Sequence, residues 1–311
     1  MTTSLARARA LRRGDRVAVL TASSPVPAEP LEAGLARLRA AGLEPVVFDS
    51  ARDPGSLRPY LAGDDALRAA DLTAALLDPD IAGVLFARGG SGAGRTLAAL
   101  DWDRLLAAPP TVLAGYSDVT AVLEAVACRL GWASLHSTIV AASGDDLDVD
   151  FSFGSLLDTL LTPEKAQDCA YPDAVTGVPG LADGVTLGGN VSVLEASLGT
   201  PTSHPARGGI LLVEEVDEPP YRLDRMLTHL HRAGYLDGVA GIVCGRFAGC
   251  GPDDVVDAVL RERLGTLGVP MITGADVGHG GPNRTFPIGI AATLDADAGT
   301  LTLADPPLAS A

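Results

Sequence analysis

The length, composition and charge of this chain exclude several classes of partner. Of its 311 residues, 47% are hydrophobic and 20% are charged, which supplies ample core material and excludes a disordered chain. The formal net charge is -16, so the overall field repels a polyanion such as nucleic acid. No apolar run approaches the length of a membrane span, and the apolar stretch near the amino terminus is too short for a signal peptide. We therefore predict a cytoplasmic protein that binds neither nucleic acid nor membrane.

The four cysteines form neither a metal-binding pattern nor a disulfide pattern. Cys128, Cys169, Cys244 and Cys250 lie far apart, and no C-x-x-C pair occurs among them. Zinc sites and small disulfide-rich domains both need closer and more regular spacing. We therefore expect four reduced cysteines that serve as packing residues.

The first half of the chain alternates short apolar runs with amphipathic segments, which is typical of βαβ units around a parallel sheet. Strands are predicted at 16–20, 46–48, 81–87 and 111–114. Helices that end near Gly42, Leu77 and Leu130 separate or follow these strands. The fourth strand breaks sharply at Gly115 into the last of these helices, and Ser117 lies at that break.

The pattern changes after about residue 145. Acidic and polar residues with Pro163 and Pro172 show no clear periodicity, as in a linker. Beyond this stretch, predicted strands and helices mix: strands at 210–214, 239–244, 288–294 and 300–303, and helices at 221–232 and 253–264. Short β segments near the end favour a mixed or barrel-like sheet. We predict an α/β protein with one domain at 1–145, a linker at 146–180 and a second domain at 181–311.

The segment Gly115-Tyr116-Ser117-Asp118 is a candidate nucleophile turn. A serine hydroxyl is a weak nucleophile, so a site must expose its oxygen and supply a base. A strand–turn–helix lifts the side chain out of the sheet and directs backbone amides toward a developing oxyanion. The usual turn has glycine two residues after the serine, where this chain has Val119. A plain helix N-cap is the competing interpretation, and it is the simpler one for this segment alone.

The glycine-rich stretch at 88–95 follows the strand next to that turn. Its Gly90 amide is a candidate second oxyanion donor, because glycine lets the backbone approach a ligand closely. The competing interpretations are a phosphate cradle and an ordinary tight turn. The spacing Gly90-x-Gly92-x-Gly94 matches neither the dinucleotide fingerprint nor a Walker loop.

A carboxylate and an imidazole could complete a covalent hydrolase. Glu214 follows an apolar run inside an acidic cluster, for which a solvated loop is the alternative interpretation. Among five histidines, His279 alone lies between glycines in a loop after a strand. The order serine, acid, histidine is one of several that unrelated folds use for the same geometry. The other four histidines lie in a helix or show no partner in the sequence: His136, His204, His229 and His231.

Together these residues resemble the serine L,D-carboxypeptidases of peptidoglycan recycling and the related microcin-immunity peptidases. The resemblance covers nearly the whole chain. Its matching segments are 17–25, 88–95, 115–118, 187–190, 199–201, 211–222 and 272–279. So many matches in the same order are highly specific to the family.

The resemblance implies roles for individual residues. Ser117 matches the nucleophile, Glu214 matches the acid that ends a strand, and His279 matches the base of the Gly-His loop. The amides of Gly90 and Asp118 match the oxyanion donors. The resemblance also implies a Rossmann-like first domain, a second domain with a swivelling β-barrel core, a homodimer, and no metal or other cofactor.

The resemblance further implies a peptide-like small substrate. The expected reaction is hydrolysis of an L,D amide bond, which releases the terminal D-alanine of a murein tetrapeptide. Two aromatic positions of the family pattern are Ser91 and Leu187 here, and the stretch after the nucleophile helix is His136-Ser137-Thr138. Because aromatic rings form pocket walls, these changes concern substrate selection. We expect Ser91, Leu187 and Asn190 to contact the substrate.

Two alternatives stay open at this point. A microcin-immunity-like enzyme would hydrolyse a peptidyl- or aminoacyl-nucleotide antibiotic or another peptide amide. A protein of a different class would be a non-catalytic binder that holds a phosphate or sugar with the 88–95 loop.

Overall fold

The computed structural model describes residues 3–55, 57–144 and 148–310 and contains two β-sheets with helices packed on them. The strands are β1 Arg16–Leu20, β2 Glu44–Val47, β3 Ile81–Phe86, β4 Val112–Gly115, β5 Ser134–His136, β6 Asp168–Ala170, β7 Val175–Val178, β8 Leu181–Asn190, β9 Gly209–Val216, β10 Gly241–Ala248, β11 Met271–Thr273, β12 Phe286–Ile288, β13 Ala291–Asp295 and β14 Thr300–Leu303. The helices are α1 Ala28–Ala40, α2 Asp65–Leu77, α3 Ala93–Ala98, α4 Trp102–Leu105, α5 Thr120–Leu130, α6 Val149–Leu161, α7 Val191–Ala196, α8 Pro220–Arg232 and α9 Asp253–Arg263.

The first sheet confirms the predicted parallel, Rossmann-like organisation. Its strand order is β12-β5-β4-β3-β1-β2, and all neighbours are parallel except β12, which pairs antiparallel with β5. Helices cover both faces, so the central strand β3 is apolar along almost its whole length. In such a sheet the carboxyl ends of the parallel strands form one edge where ligands bind. The turn that carries Ser117 leaves β4 at this edge.

The second sheet is mixed, as predicted, but it is not a barrel in the described part of the chain. Its order is β6-β14-β13-β8-β9-β10-β11-β7. Strands β8 to β11 are parallel neighbours, and the outer strands pair antiparallel. The two edge strands, β6 and β7, have only three and four residues. They pair with β14 and β11 and not with each other, so the sheet stays open.

The segment expected to be a linker is largely folded. Residues 146 and 147 lie outside the described residues, but helix α6 follows at once, with Asp148 as its N-cap accepting from the Phe151 amide. Phe153 and Leu160 of α6 are buried against the first sheet, and β6 and β7 join the second. The acidic residues at the start of α6 obscured its apolar periodicity. The exact domain boundaries stay a prediction.

One strand from the second half of the chain completes the first sheet. Strand β12 comes after His279 in the sequence, yet it pairs with β5, with Phe286 opposite His136. This pairing fixes the end of the His279 loop to the sheet that carries Ser117. The segment that carries His279 and the sheet that carries Ser117 are therefore joined by backbone hydrogen bonds as well as by side-chain contacts.

Two smaller predictions can be compared with the structure. All four cysteines are free, and three of them are buried, which confirms their role as packing residues. No helix in the described ranges is both long and apolar enough to cross a membrane.

Candidate active site

Ser117 occupies a strained turn between β4 and α5. Its φ is 64°, a left-handed conformation that L-residues other than glycine, asparagine and aspartate rarely adopt. The turn continues as a short 3-10 helix, Ser117–Val119, before α5 begins. The N-cap positions are Tyr116 and Val119, and neither makes a side-chain capping bond. The N-cap interpretation of Ser117 is therefore wrong, and the strained conformation has another purpose.

Glu214 and His279 form a close pair. Glu214 lies near the carboxyl end of β9 and is fully buried. Its Oε2 is 2.6 Å from His279 Nδ1 and also accepts from the His279 backbone amide at 3.2 Å. The neighbouring Gly278 amide donates to Asn283 Oδ1 at 2.9 Å, which fixes the loop. The imidazole is thus held in one orientation by a buried carboxylate, as a general base requires.

The pKa values of this pair shift in opposite directions. Burial alone would raise the pKa of Glu214, but the charge and hydrogen bond of His279, together with the neighbouring His136, outweigh it and hold that pKa well below its usual range. Burial alone would lower the pKa of His279, but the charge and hydrogen bond of Glu214 raise it above its ordinary value. Glu214 therefore stays ionised and makes His279 a stronger base.

Tyr116 connects this pair to the serine. Its ring centroid lies 4.6 Å from that of His279, and it directly precedes Ser117 in the chain. A Cβ placed on Gly89 would lie 2.9 Å from Ser117 Cβ, so only glycine lets the 88–94 loop approach the serine so closely. The structure thus brings together three segments that are far apart in sequence: the serine turn, the glycine loop and the Glu214–His279 pair.

Of the two predicted oxyanion donors, Asp118 follows Ser117 in the chain, and Gly90 follows Gly89, which lies against the serine. The Asp118 carboxylate is engaged elsewhere, since it accepts from Ser23 Oγ at 2.6 Å and from the Ala93 amide at 2.8 Å. Burial raises the pKa of this carboxyl group. Gly90 has φ 105° and lies against Ser24. The oxyanion roles of the Asp118 and Gly90 amides stay a prediction, while the Asp118 side chain ties the serine turn to the start of α3.

A cavity of about 590 Å³ lies beside this arrangement. Its lining includes Gly90, Ser91 and Asp118 together with Trp102 and Arg129. Arg129 stacks on Trp102 with its guanidinium carbon 5.5 Å from the ring centroid. The cavity is large enough for a peptide of a few residues, and it offers both an apolar wall and a cation.

The other two residues expected to contact substrate are engaged within the fold. Leu187 is part of the apolar packing around the second sheet. Asn190 is 3% exposed and caps α7. Its Nδ2 donates to Glu215 Oε1 at 2.8 Å. The Asn190 backbone amide also donates to Thr120 Oγ1 at the start of α5 at 3.1 Å. Contact of Leu187 and Asn190 with the substrate stays a prediction.

Sequence reasoning also misjudged or missed several neighbours of the pair. Glu214 and Glu215 are both buried, so the interpretation as a solvated acidic loop is wrong for them. His136, for which the sequence showed no partner, has Nε2 at 3.7 Å from Glu214 Oε1. Tyr116 was noticed only as part of the turn. The sequence signal for Tyr116 was its place in a segment shared with the family, whereas His136 lay in a stretch that departs from the family pattern.

Comparison with known families agrees with this geometry. The family described as "LD-carboxypeptidase N-terminal domain" matches residues 17–137, and the family described as "LD-carboxypeptidase C-terminal domain" matches residues 183–294. The chain belongs to the LD-carboxypeptidase family. As an LD-carboxypeptidase family member it is a serine-type hydrolase, which removes the non-catalytic binder as an alternative.

Individual relatives of this LD-carboxypeptidase family member are similar over most of their length. A carboxypeptidase-named protein of Streptomyces coelicolor is 47% identical over 307 residues, covering 98% of each chain. The murein tetrapeptide carboxypeptidase of Pseudomonas aeruginosa is 32% identical over 289 residues, covering 90% of this chain and 93% of its own. The solved microcin C7 self-immunity protein MccF, in complex with aspartyl sulfamoyl adenosine, has a TM-score of 0.82 at 21% identity, covering 97% and 99% of the chains. At that identity the last comparison supports the fold alone.

Proposed function

We propose that this protein is a serine L,D-carboxypeptidase that removes the terminal D-alanine of a murein tetrapeptide, with Ser117, His279 and Glu214 as its catalytic residues. The observation that carries the proposal is the Glu214–His279 pair: buried Glu214 Oε2 lies 2.6 Å from Nδ1 of the partly exposed His279, whose ring packs on Tyr116 beside the strained Ser117 turn. The substrate is proposed from the Pseudomonas aeruginosa relative, which is named for this activity.

The mechanism follows from these groups. His279, oriented through Nδ1 by Glu214, accepts the Ser117 hydroxyl proton at Nε2 while Oγ forms a bond to the amide carbonyl carbon. The Gly90 and Asp118 amides stabilise the resulting oxyanion. The carbon–nitrogen bond then breaks, His279 returns the proton to the departing D-alanine amine, and an acyl-enzyme remains. Water, deprotonated by His279, hydrolyses that ester and restores Ser117.

The cavity beside Gly90 and Asp118 is the proposed site for the rest of the peptide. Arg129, partly exposed and stacked on Trp102, offers a cation in this cavity. A murein peptide carries several carboxylates along its length, so a cation in the cavity would favour it. Ser91, which belongs to the glycine loop and lines the cavity, is proposed to contact the substrate there.

A microcin-immunity-like activity is the second candidate. The fold matches a solved protein that holds an aspartyl sulfamoyl adenosine, and the chemistry would use the same three residues. The cytoplasmic location and the homodimer stay predictions.

The test is release of D-alanine from L-Ala-γ-D-Glu-diaminopimelate-D-Ala, followed by mass spectrometry. We expect the wild-type protein to release D-alanine, and also Ser143→Ala, a control at an exposed serine. In Ser117→Ala the rate of D-alanine release should fall by at least about a thousandfold. A parallel sample contains aspartyl sulfamoyl adenosine. Hydrolysis of that compound without D-alanine release would favour the second candidate, and D-alanine release by Ser117→Ala would contradict the proposed nucleophile.

A further inference from the structure

Glu214 has a second histidine beside it, on the side away from His279. Oε2 of Glu214 is engaged by His279, while Oε1 faces His136 Nε2 at 3.7 Å. Both side chains are fully buried. Within the described ranges, neither Glu214 Oε1 nor either ring nitrogen of His136 has a hydrogen-bond partner. Buried polar atoms without partners are costly, so two of them facing each other in a site need an explanation.

The position of His136 in the fold gives that explanation. His136 is the last residue of β5, where it lies opposite Gly115 of β4 on one side and Phe286 of β12 on the other. Gly115 begins the turn that leads to Ser117. Glu214 belongs to β9 in the second sheet. The His136–Glu214 contact therefore joins the strand next to the nucleophile with the strand that carries the acid.

We propose that His136 is a positioning residue: its Nε2–H points at Glu214 Oε1 and fixes the carboxylate so that Oε2 faces His279. The proposal rests on the catalytic roles proposed above for Ser117, Glu214 and His279. In this arrangement both carboxylate oxygens are oriented, one by each sheet. The two contacts to Glu214 then resist movement of one sheet against the other, so Glu214, His279 and Ser117 keep their relative positions.

Three titratable groups lie at or next to the His136–Glu214 contact, and only one of them, His279, changes charge in the working range. Tyr116 packs edge-on against His136 with ring centroids 5.9 Å apart, and burial raises the pKa of its hydroxyl group, so it stays neutral. Glu214 and His279 are the other two. Replacing His136 removes its Nε2–H dipole and therefore changes the electrostatics of the Glu214–His279 pair. Glu214 would carry more unscreened negative charge, and the pKa of His279 would rise.

The direct test is the pKa of His279 measured by NMR with ¹³Cε1-labelled histidine. The chain has five histidines, so five signals are expected, and His279→Asn assigns the relevant one. We expect His136→Leu to raise the pKa of His279 by about half a unit to one unit. His136→Gln, whose amide can place a donor near the Nε2 position, should return the value toward the wild type. His136→Met, which also lacks a donor, replaces His136→Leu if leucine prevents folding.

A kinetic measurement gives a second readout. The acidic limb of the kcat/KM profile reports deprotonation of the base, so His136→Leu should move that limb to higher pH and His136→Gln should restore it. A His279 pKa that is the same in all three proteins would overturn the positioning role and leave His136 a packing residue. A wild-type protein without D-alanine release would overturn the proposed substrate, while the NMR shift would still support the role of His136.

Discussion

Ser117 adopts a backbone conformation that its side chain disfavours. The left-handed region costs a non-glycine residue about 1–2 kcal/mol, and the φ of 64° at Ser117 lies in it. The only other described non-glycine residue with a positive φ is Asp217, which follows the strand that carries Glu214. Backbone strain in the described part of the chain is therefore concentrated around the site, where it orients side chains instead of adding stability.

This strain gives a stability prediction. Ser117→Gly and Ser117→Ala both remove the hydroxyl, but only glycine relieves the backbone. We expect Ser117→Gly to be more stable than Ser117→Ala by about 0.5–1 kcal/mol in urea unfolding. The control pair is at Ser155 inside α6, whose hydroxyl accepts from the Thr285 amide. There the order should reverse, with alanine the more stable by about 1 kcal/mol. The same order at both positions would contradict a strained Ser117.

At the scale of elements, the glycine loop between β3 and α3 is shaped by contacts with Ser24. Ser24 Oγ donates to the Tyr60 carbonyl at 2.9 Å and accepts from the Ser91 amide at 3.0 Å. A Cβ on Gly90 would lie 2.2 Å from that hydroxyl oxygen, and the φ of Gly90 is 105°. The loop therefore cannot keep its path with any other residue at position 90.

We expect Gly90→Ala to lower kcat by about a hundredfold, because it displaces a proposed oxyanion donor. Gly154→Ala is the control: Gly154 lies in α6, and a Cβ there meets nothing within 4 Å. That variant should keep wild-type activity and gain about 1 kcal/mol of stability. Steady-state kinetics and thermal unfolding of both variants make the comparison. Full activity in Gly90→Ala would show that this loop does not form the oxyanion site.

The elements that sequence predicted well are those with a local signal. The apolar run of β3, the break after β4 and the position of Glu214 near the end of β9 are each visible in a few consecutive residues of the sequence. The Asn190–Glu215 hydrogen bond could not be predicted from a local pattern, because the two residues lie on neighbouring strands. Contact of Leu187 and Asn190 with the substrate stays a prediction. Pairing of β12 with β5 joins residues about 150 positions apart, which no local pattern encodes.

At the scale of the whole molecule, the two halves also meet away from the site. Glu124 on α5, the helix that follows Ser117, accepts from Ser203 Oγ at 3.0 Å and from the Tyr235 hydroxyl at 3.4 Å. Burial raises the pKa of Glu124 to about 8, against the opposing effect of these hydrogen bonds. The carboxyl group is thus protonated at neutral pH where α5 packs on the second half of the chain.

This carboxyl group makes folding stability depend on pH. Between about pH 4.5 and 8 the folded protein holds a proton on Glu124 that the unfolded chain has lost, so stability falls as pH rises through that window and levels off above it. Glu124→Gln cannot titrate. We expect the free energy of unfolding of Glu124→Gln minus that of the wild type to increase by up to about 4 kcal/mol between pH 5 and pH 8. Urea unfolding of both proteins at several pH values measures the difference, and parallel pH curves would contradict it.

The central claim is that Ser117 is activated by a histidine and a glutamate that come from the other half of the chain. The most direct measurement is the rate at which a fluorophosphonate forms a bond with the serine oxygen and releases fluoride, with the modified peptide located by mass spectrometry. We predict one adduct, on Ser117, and a rate at least about a hundredfold lower in Glu214→Gln and in His279→Gln. An adduct on another residue, or an unchanged rate in Glu214→Gln, would contradict the claim.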